Sequence, residues 1–307
     1  MRQKRKVWKE APAPEAVWVN ERHLYVMPND LESFLAALAA IQDYYAQLWK
    51  RHANVQVNVI MNDAFGFLLP AFKMGDNVLD VLWLKERALG SIVHLDMDHV
   101  VDFDVDRARF LAKKSEKSLV QTFGIMLGAD PQRSLPVLNA LPLPETPQFD
   151  VIILPFPDAE KFYSFLQNNH PELTVHYAKT EFREHTLAHS AKMMVGVKSG
   201  MTYLAAAFGT GVVEIYPPSS EPRHWLSKWS HPMYQMIYVE PEQANAELVY
   251  RAWVNLWRRV QSFHRIVQES STMTAPSTSI AESAGTSSAK PATEDSPPPS
   301  ALLVKDT

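Results

Sequence analysis

The sequence predicts an α/β protein made of two parallel-sheet domains. Three observations predict it: strand and helix patterns alternate through both halves, a proline-rich stretch divides those halves, and the chain changes beyond about Ser270 into a Ser, Thr, Ala and Pro-rich tail. At 307 residues, two compact units plus a tail fit the usual domain size. A composition of 46% hydrophobic and 21% charged residues supplies enough apolar material for real cores.

Residues 1–20 read as a basic N-terminal arm carrying Arg2, Lys4, Arg5, Lys6 and Lys9, either simply solvated or a local patch for nucleic acid or a membrane surface. The first domain, residues 21–146, opens with the apolar run Leu24-Tyr25-Val26-Met27, closed by the turn formers Pro28-Asn29-Asp30. Leu31, Phe34, Leu35, Leu38, Ile41, Tyr45 and Leu48 then recur at helical spacing, so a long amphipathic helix follows, with Asn29 or Asp30 placed to cap it. Val55–Met61 and Val78–Leu84 are the next strands, joined by the segment 64–73; Ser91–Leu95 is a further strand candidate, and Asp106–Leu127 reads as one helix. The stretch Leu141-Pro142-Leu143-Pro144-Glu145-Thr146-Pro147 reads as a linker.

The second domain, residues 147–242, repeats the alternation. Val151–Leu154 is a continuous apolar run, as in a strand covered on both faces, followed by a helix at 159–168 and a strand at 173–177. Strand 193–197, helix 201–208 and strand 212–216 complete it. A C-terminal helix over 243–269 carries Leu248, Tyr250, Trp253, Val254, Trp257, Val260 and Phe263 as a packing stripe, and residues 270–307 form a tail predicted to be disordered.

Composition also excludes. A net charge of −4, from 30 basic and 34 acidic residues, gives no global field for nucleic acid, so none is expected as a partner. The absence of cysteine removes disulfides, thiolate nucleophiles and Cys-ligated zinc. No apolar run follows the basic arm as in a secretory signal, and no run is long enough to span a membrane, so the expectation is a soluble, cytoplasmic protein. The run Asp96, Asp98, His99, Asp102, Asp104 and Asp106 has cation-binding residue types, but reads as a solvated loop, and no metal site is predicted.

The stretch richest in chemistry runs from Val195 to Val213. A strand enters the turn Lys198-Ser199-Gly200, which opens onto a small-residue helix starting Met201-Thr202-Tyr203. A helix start offers unpaired amides and a positive dipole end, and glycine lets an anion reach the backbone. The same pattern also fits an ordinary strand-to-helix turn without a ligand. Asp30 likewise fits a helix cap as well as a general base.

The run resembles the C-terminal signature of the heptosyltransferases, glycosyltransferase family 9, roughly V-G-x-D-[ST]-G-x-x-H-L-A-A-A-L-G-x-P-V-V-x-L-[FY]-G-P-T. Val195, Gly196, Ser199, Gly200, Leu204, Ala205, Ala206, Ala207, Gly209, Val212, Val213, Tyr216, Pro218 and, loosely, Ser219 match it without a gap. The N-terminal strand, turn and helix around Asp30 have the layout with which that family begins. The resemblance implies a GT-B fold, two Rossmann-like domains facing a cleft. It further implies transfer of a sugar from a nucleotide-diphosphate sugar to a hydroxyl acceptor, a glycan or lipopolysaccharide core sugar, without a metal or other cofactor. Asp30 would be the general base, and Lys198, Ser199, Gly200, Met201, Thr202, Tyr203 and Lys161 would hold the donor. This chain departs from the family at Lys198 (Asp there), Tyr203 (His), Gly211 (Pro) and Pro217 (Gly). Those departures motivate a second expectation, a catalytically inactive GT-B protein acting as a binding or scaffolding subunit. A third, a sugar-nucleotide epimerase using His185, His189 and Glu184, ranks last.

Overall fold

The computed structural model describes residues 17–84, 96–138, 141, 147–178, 186–218 and 232–273. The basic cluster of the arm, the strand candidate at 91–95, most of the linker, Glu184, His185, Ser219 and nearly all of the tail lie outside them. Both sheets belong to one compact unit, which among the described residues extends to Arg265.

The first sheet has four parallel strands, β1 (Val19–Val26), β2 (Ala53–Ile60), β3 (Val78–Leu84) and β4 (His99–Asp102), in the order β3-β2-β1-β4. Between β1 and β2 runs α1 (Leu31–Lys50), and a 3-10 segment (Asp63–Lys73) joins β2 to β3. The acidic run that reads as a loop contains β4, because His99 to Asp102 pair in register with His23 to Val26. The helix expected over 106–127 is two, α2 (Val105–Ser115) and α3 (Leu119–Met126). Glu116 turns left-handed at φ 52° and Ser118 starts the new helix with a capping box closed by Gln121, which together stop one helix and begin the next.

The second sheet has five parallel strands: β5 (Phe149–Ile153), β6 (Val175–Tyr177), β7 (Ala191–Val197), β8 (Gly211–Ile215) and β9 (Tyr234–Ile237), ordered β6-β5-β7-β8-β9. Four helices accompany it: α4 (Ala159–Asn169), α5 (Thr186–His189), α6 (Gly200–Ala207) and α7 (Ala246–Met273). One face packs Val151, Ile153, Val195 and Val213 on α4 and α7, where Trp253, Leu256, Trp257 and Val260 are buried, so the aromatic stripe is a packing face. The opposite face, with Ile152, Met194 and Val212, packs beneath α6.

Helix α1 links the two sheets. Its Ala36, Ala37, Ala39 and Ala40 are as buried as Phe34, Leu35 and Leu38, so burial extends round the helix rather than along one stripe. Sheet β1-β2 covers one side, α3 and α6 the other, and small side chains let the helices approach. One core cluster therefore runs from Tyr25 and Val57 in the first sheet through α1 and α6 to Ile152 and Met194 in the second.

Each sheet reverses strand order once, between β1 and β4 and between β5 and β7. Open α/β sheets bind ligands in the crevice outside the carboxyl ends of the strands at such points. Here those crevices are bordered by Met27–Asp30 after β1 and by Lys198–Gly200 after β7.

Candidate functional site

The helix starts at the two crevices meet. A Cβ on Gly200 would lie 2.7 Å from Leu31 Cβ, so only glycine lets α6 begin against α1. One residue on, Glu32 takes an ion pair from Lys198 Nζ at 2.8 Å, with both side chains largely shielded from water. The Lys198 ammonium also stands 5.6 Å from the centre of the Tyr216 ring. Thus Asp30, Glu32, Lys198, Ser199 and Gly200 gather at one place, from sequence positions nearly 170 residues apart.

Asp30 is the exposed N-cap of α1, its Oδ1 accepting from Ser33 N at 2.9 Å. Both readings of this residue thus meet in one geometry, a capping carboxylate that faces solvent. Ser199 caps α6 with a reciprocal box: Thr202 N donates to Ser199 Oγ at 3.3 Å and Ser199 N to Thr202 Oγ1 at 3.0 Å. Thr202 has a second task. Its Oγ1 lies 2.7 Å from Ser199 O and 2.6 Å from Glu214 Oε1, while Tyr234 Oη donates to Glu214 Oε2 at 2.5 Å. One hydroxyl proton cannot serve two acceptors, so the network closes when Glu214 is neutral and donates its own proton to Thr202. Burial pushes the Glu214 carboxyl up to about 7, against the pull of its hydrogen-bond contacts with Thr202 and Tyr234, with Glu32 adding repulsion.

The other predicted donor residues are placed differently. Tyr203 turns inward and is buried, its hydroxyl donating to Ser134 O at 2.8 Å and tying the 132–138 segment to α6. Burial raises its phenol well above the ordinary value. Met201 is buried in the shared core. Lys161 lies on α4, exposed and paired with Asp158 at 2.8 Å; α4 packs on the opposite face of the sheet from α6, though both helices start at the strands' carboxyl edge. His189 precedes β7, so the length of that strand, about 20 Å, separates it from Ser199.

Two groups escaped the sequence reading. Glu214 gives no local signal, since its partner Thr202 is reached only by the return of the chain from α6 into β8. Glu21, His23 and His99 place one ligating atom each within 4.8 Å of one another on β1 and β4. The spacing of 21 and 23 puts two of them on one strand face, but His99 joins only through the parallel pairing. Burial is the main cause lowering the His23 pKa, His99 adding to it, while Glu21 and Asp98 pull the other way.

No protein-family model matches the chain, and no curated protein matches it in sequence. Solved structures do match. Escherichia coli ADP-heptose lipopolysaccharide heptosyltransferase II aligns over 78% of this chain and 99% of its own, with a TM-score of 0.54 at 12% identity. A family 9 glycosyltransferase from Veillonella parvula aligns over 80% and 99%, with a TM-score of 0.52 at 11% identity. The iron-containing dodecameric glycosyltransferase TibC of enterotoxigenic E. coli is matched over 64% of this chain, which spans 58% of that protein's length, at a TM-score of 0.47 and 14% identity. The fold is therefore GT-B, two parallel α/β sheets of glycosyltransferase type. Within that class its fold is similar to that of the heptosyltransferases, at only 11–12% sequence identity.

Proposed function

We propose that the protein is a glycosyltransferase that takes a nucleotide-diphosphate sugar as donor and a hydroxyl group as acceptor. The observation that carries this reading is the meeting of the two helix starts at the two strand-order reversals, with Lys198 and the α6 amides on one side and Asp30 on the other. The donor diphosphate lies against Lys198, the Ser199 hydroxyl and the start of α6, where a cation and a helix dipole offset the charge that builds up on the leaving group. Lys161, released from Asp158, is a further cation at that edge of the sheet. Asp30 accepts the acceptor's hydroxyl proton as the new bond from that oxygen to the anomeric carbon forms, and the bond from that carbon to the phosphate oxygen breaks, releasing the nucleoside diphosphate. A lipopolysaccharide core sugar is the acceptor class that the heptosyltransferase likeness suggests.

Glu32 sets the condition for binding. Its carboxylate already neutralises Lys198, so a diphosphate must displace it or share the ammonium. The test is a thermal-shift screen against ADP-, UDP-, GDP- and TDP-sugars with the wild type, Glu32→Gln and Asp30→Asn. The reading expects a donor-specific shift, enlarged in Glu32→Gln and unchanged in Asp30→Asn, since Asn also caps helices. Turnover in Asp30→Asn falls by about 10²–10⁴-fold, the usual worth of a general base. One observation favours a second reading, a non-catalytic GT-B subunit: Leu31 and Glu32 already fill the space in front of Gly200 and Lys198. Lack of any nucleotide shift in both the wild type and Glu32→Gln selects it.

A further inference from the structure

Outside the crevice, a cluster of three metal-ligating side chains among the described residues lies toward the start of β1. Glu21 and His23 sit two apart on one strand and so project from the same face. His99 is the register partner of His23 on β4. The Glu21 Oε2 to His23 Nε2 distance is 2.8 Å, Glu21 Oε2 to His99 Nε2 is 3.5 Å, and all three ligand atoms lie within 4.8 Å of one another. We propose that Glu21, His23 and His99 bind one divalent cation of the zinc class.

The chemistry of the donor set fits that class. Two imidazole nitrogens and one carboxylate oxygen suit Zn²⁺ and its neighbours, whereas Mg²⁺ and Ca²⁺ take oxygen ligands. A tetrahedral ion with ligands at about 2.0–2.2 Å holds them roughly 3.3–3.5 Å apart. The His99 to Glu21 separation already has that value; the shorter His23 to Glu21 contact is a hydrogen bond whose proton the ion replaces, opening the pair by about half an ångström.

The surroundings of His23 fit as well. Its ring is fully buried, stacked 5.9 Å from Tyr44, and its Nδ1 is 2.8 Å from Tyr25 Oη. With the ion on Nε2, Nδ1 carries the proton and donates it to Tyr25, the orienting arrangement typical of ligating histidines. Tyr25 is then free to turn its own proton toward the buried Tyr45 hydroxyl beside it. His99 is half exposed, leaving room for a water as fourth ligand. That exposure also gives an ion access, and Glu21 borders a recess of about 550 Å³ in which Asp80, Asp96 and Asp98 add negative charge and Arg22 is the basic residue. The ion ties β1 to β4 about 16 Å up the strand from the crevice, so it acts on the fold rather than on the donor.

The full chain, stripped by a chelator, is titrated with Zn²⁺ and separately with Co²⁺ at pH 7.5. One ion per chain is expected to bind and raise Tm, with visible Co²⁺ absorption of a low-coordinate nitrogen and oxygen site. His99→Ala and Glu21→Gln are each expected to weaken binding at least about tenfold. Both side chains reach solvent, so neither change should prevent folding, and circular dichroism of the metal-free variants checks this. Wild-type affinity in His99→Ala, or no Zn²⁺-dependent rise in Tm, overturns the proposal.

Discussion

The neutral state of Glu214 makes stability depend on pH in a direction opposite to that of an ordinary paired carboxylate. Its carboxyl is raised from 4.5 to about 7 in the folded protein. Between those values the native state holds a proton that the unfolded chain has released, so stability falls as pH rises. The contribution is fully present below about pH 4.5 and lost as pH climbs through 7. A difference of about 2.5 units at 1.36 kcal/mol each amounts to about 3 kcal/mol. For a folded unit of this size that is roughly 6–12 °C in Tm. Glu214→Gln is the matched perturbation, because the amide donates to Thr202 and accepts from Tyr234 as the neutral acid does, and does not titrate. Other groups titrate in this range: His23 and His189 have lowered pKa values, which remove stability toward acid and so slope the other way. The quantity to measure is therefore the Tm of Glu214→Gln minus that of the wild type, by calorimetry from pH 5 to 8.5. It should rise from pH 5 to about 7 and level off above that. A flat difference, or one that shrinks toward alkaline pH, refutes the proton assignment and with it the hydrogen-bond pattern at the start of α6.

Gly200→Ala should destabilise by about 1–3 kcal/mol through overpacking against Leu31, with Leu31→Gly restoring much of the loss and Leu31→Ala not, since alanine keeps the colliding Cβ; a double-mutant cycle by urea denaturation checks it. Gln42→Ala should cost about 2–4 kcal/mol, because the buried amide donates to Ala71 O at 3.0 Å and Val137 O at 2.9 Å and accepts from Val137 N at 2.8 Å, all of which lose their partner. Chemical denaturation reads this, and faster proteolysis near residue 137 is expected with it.

Much of this architecture was legible in the sequence because its elements announce themselves locally. The stripe from Leu31 to Leu48 has one helical period, Val151–Ile153 is apolar without a break, and Ser199-Gly200 followed by Leu204-Ala205-Ala206-Ala207 joins a turn to a close-packing helix. What was missed depends on pairing between distant segments. His99–Asp102 is a strand only because β1 offers it a partner, and its acidic neighbours mask it. β9 is short and is recognised only beside β8. At the site, Asp30 and Ser199 could be named as caps with chemistry nearby. Glu32 had no distinguishing feature until the docking of α1 on α6 brought Lys198 to it, and Glu214 sits in a strand whose pattern reads as apolar.

The alanine rows of α1 and α6 bear on how any ligand is admitted. Two lobes joined by a loose linker can part like jaws and let a large molecule enter between them. Here the seam between the halves is a shared apolar core, and parting it would pull α6 off α1 and expose apolar side chains of both helices to water, at about 1.5–3 kcal/mol for each large one. A ligand of the proposed crevice would therefore pass at the rim, beside the exposed Asp30, and small movements of the partly covered Glu32 and Lys198 would set the pace of entry and exit. The same seam means that a fragment beginning near Gln148 would carry α6 without the helix that covers it, and should aggregate rather than fold alone.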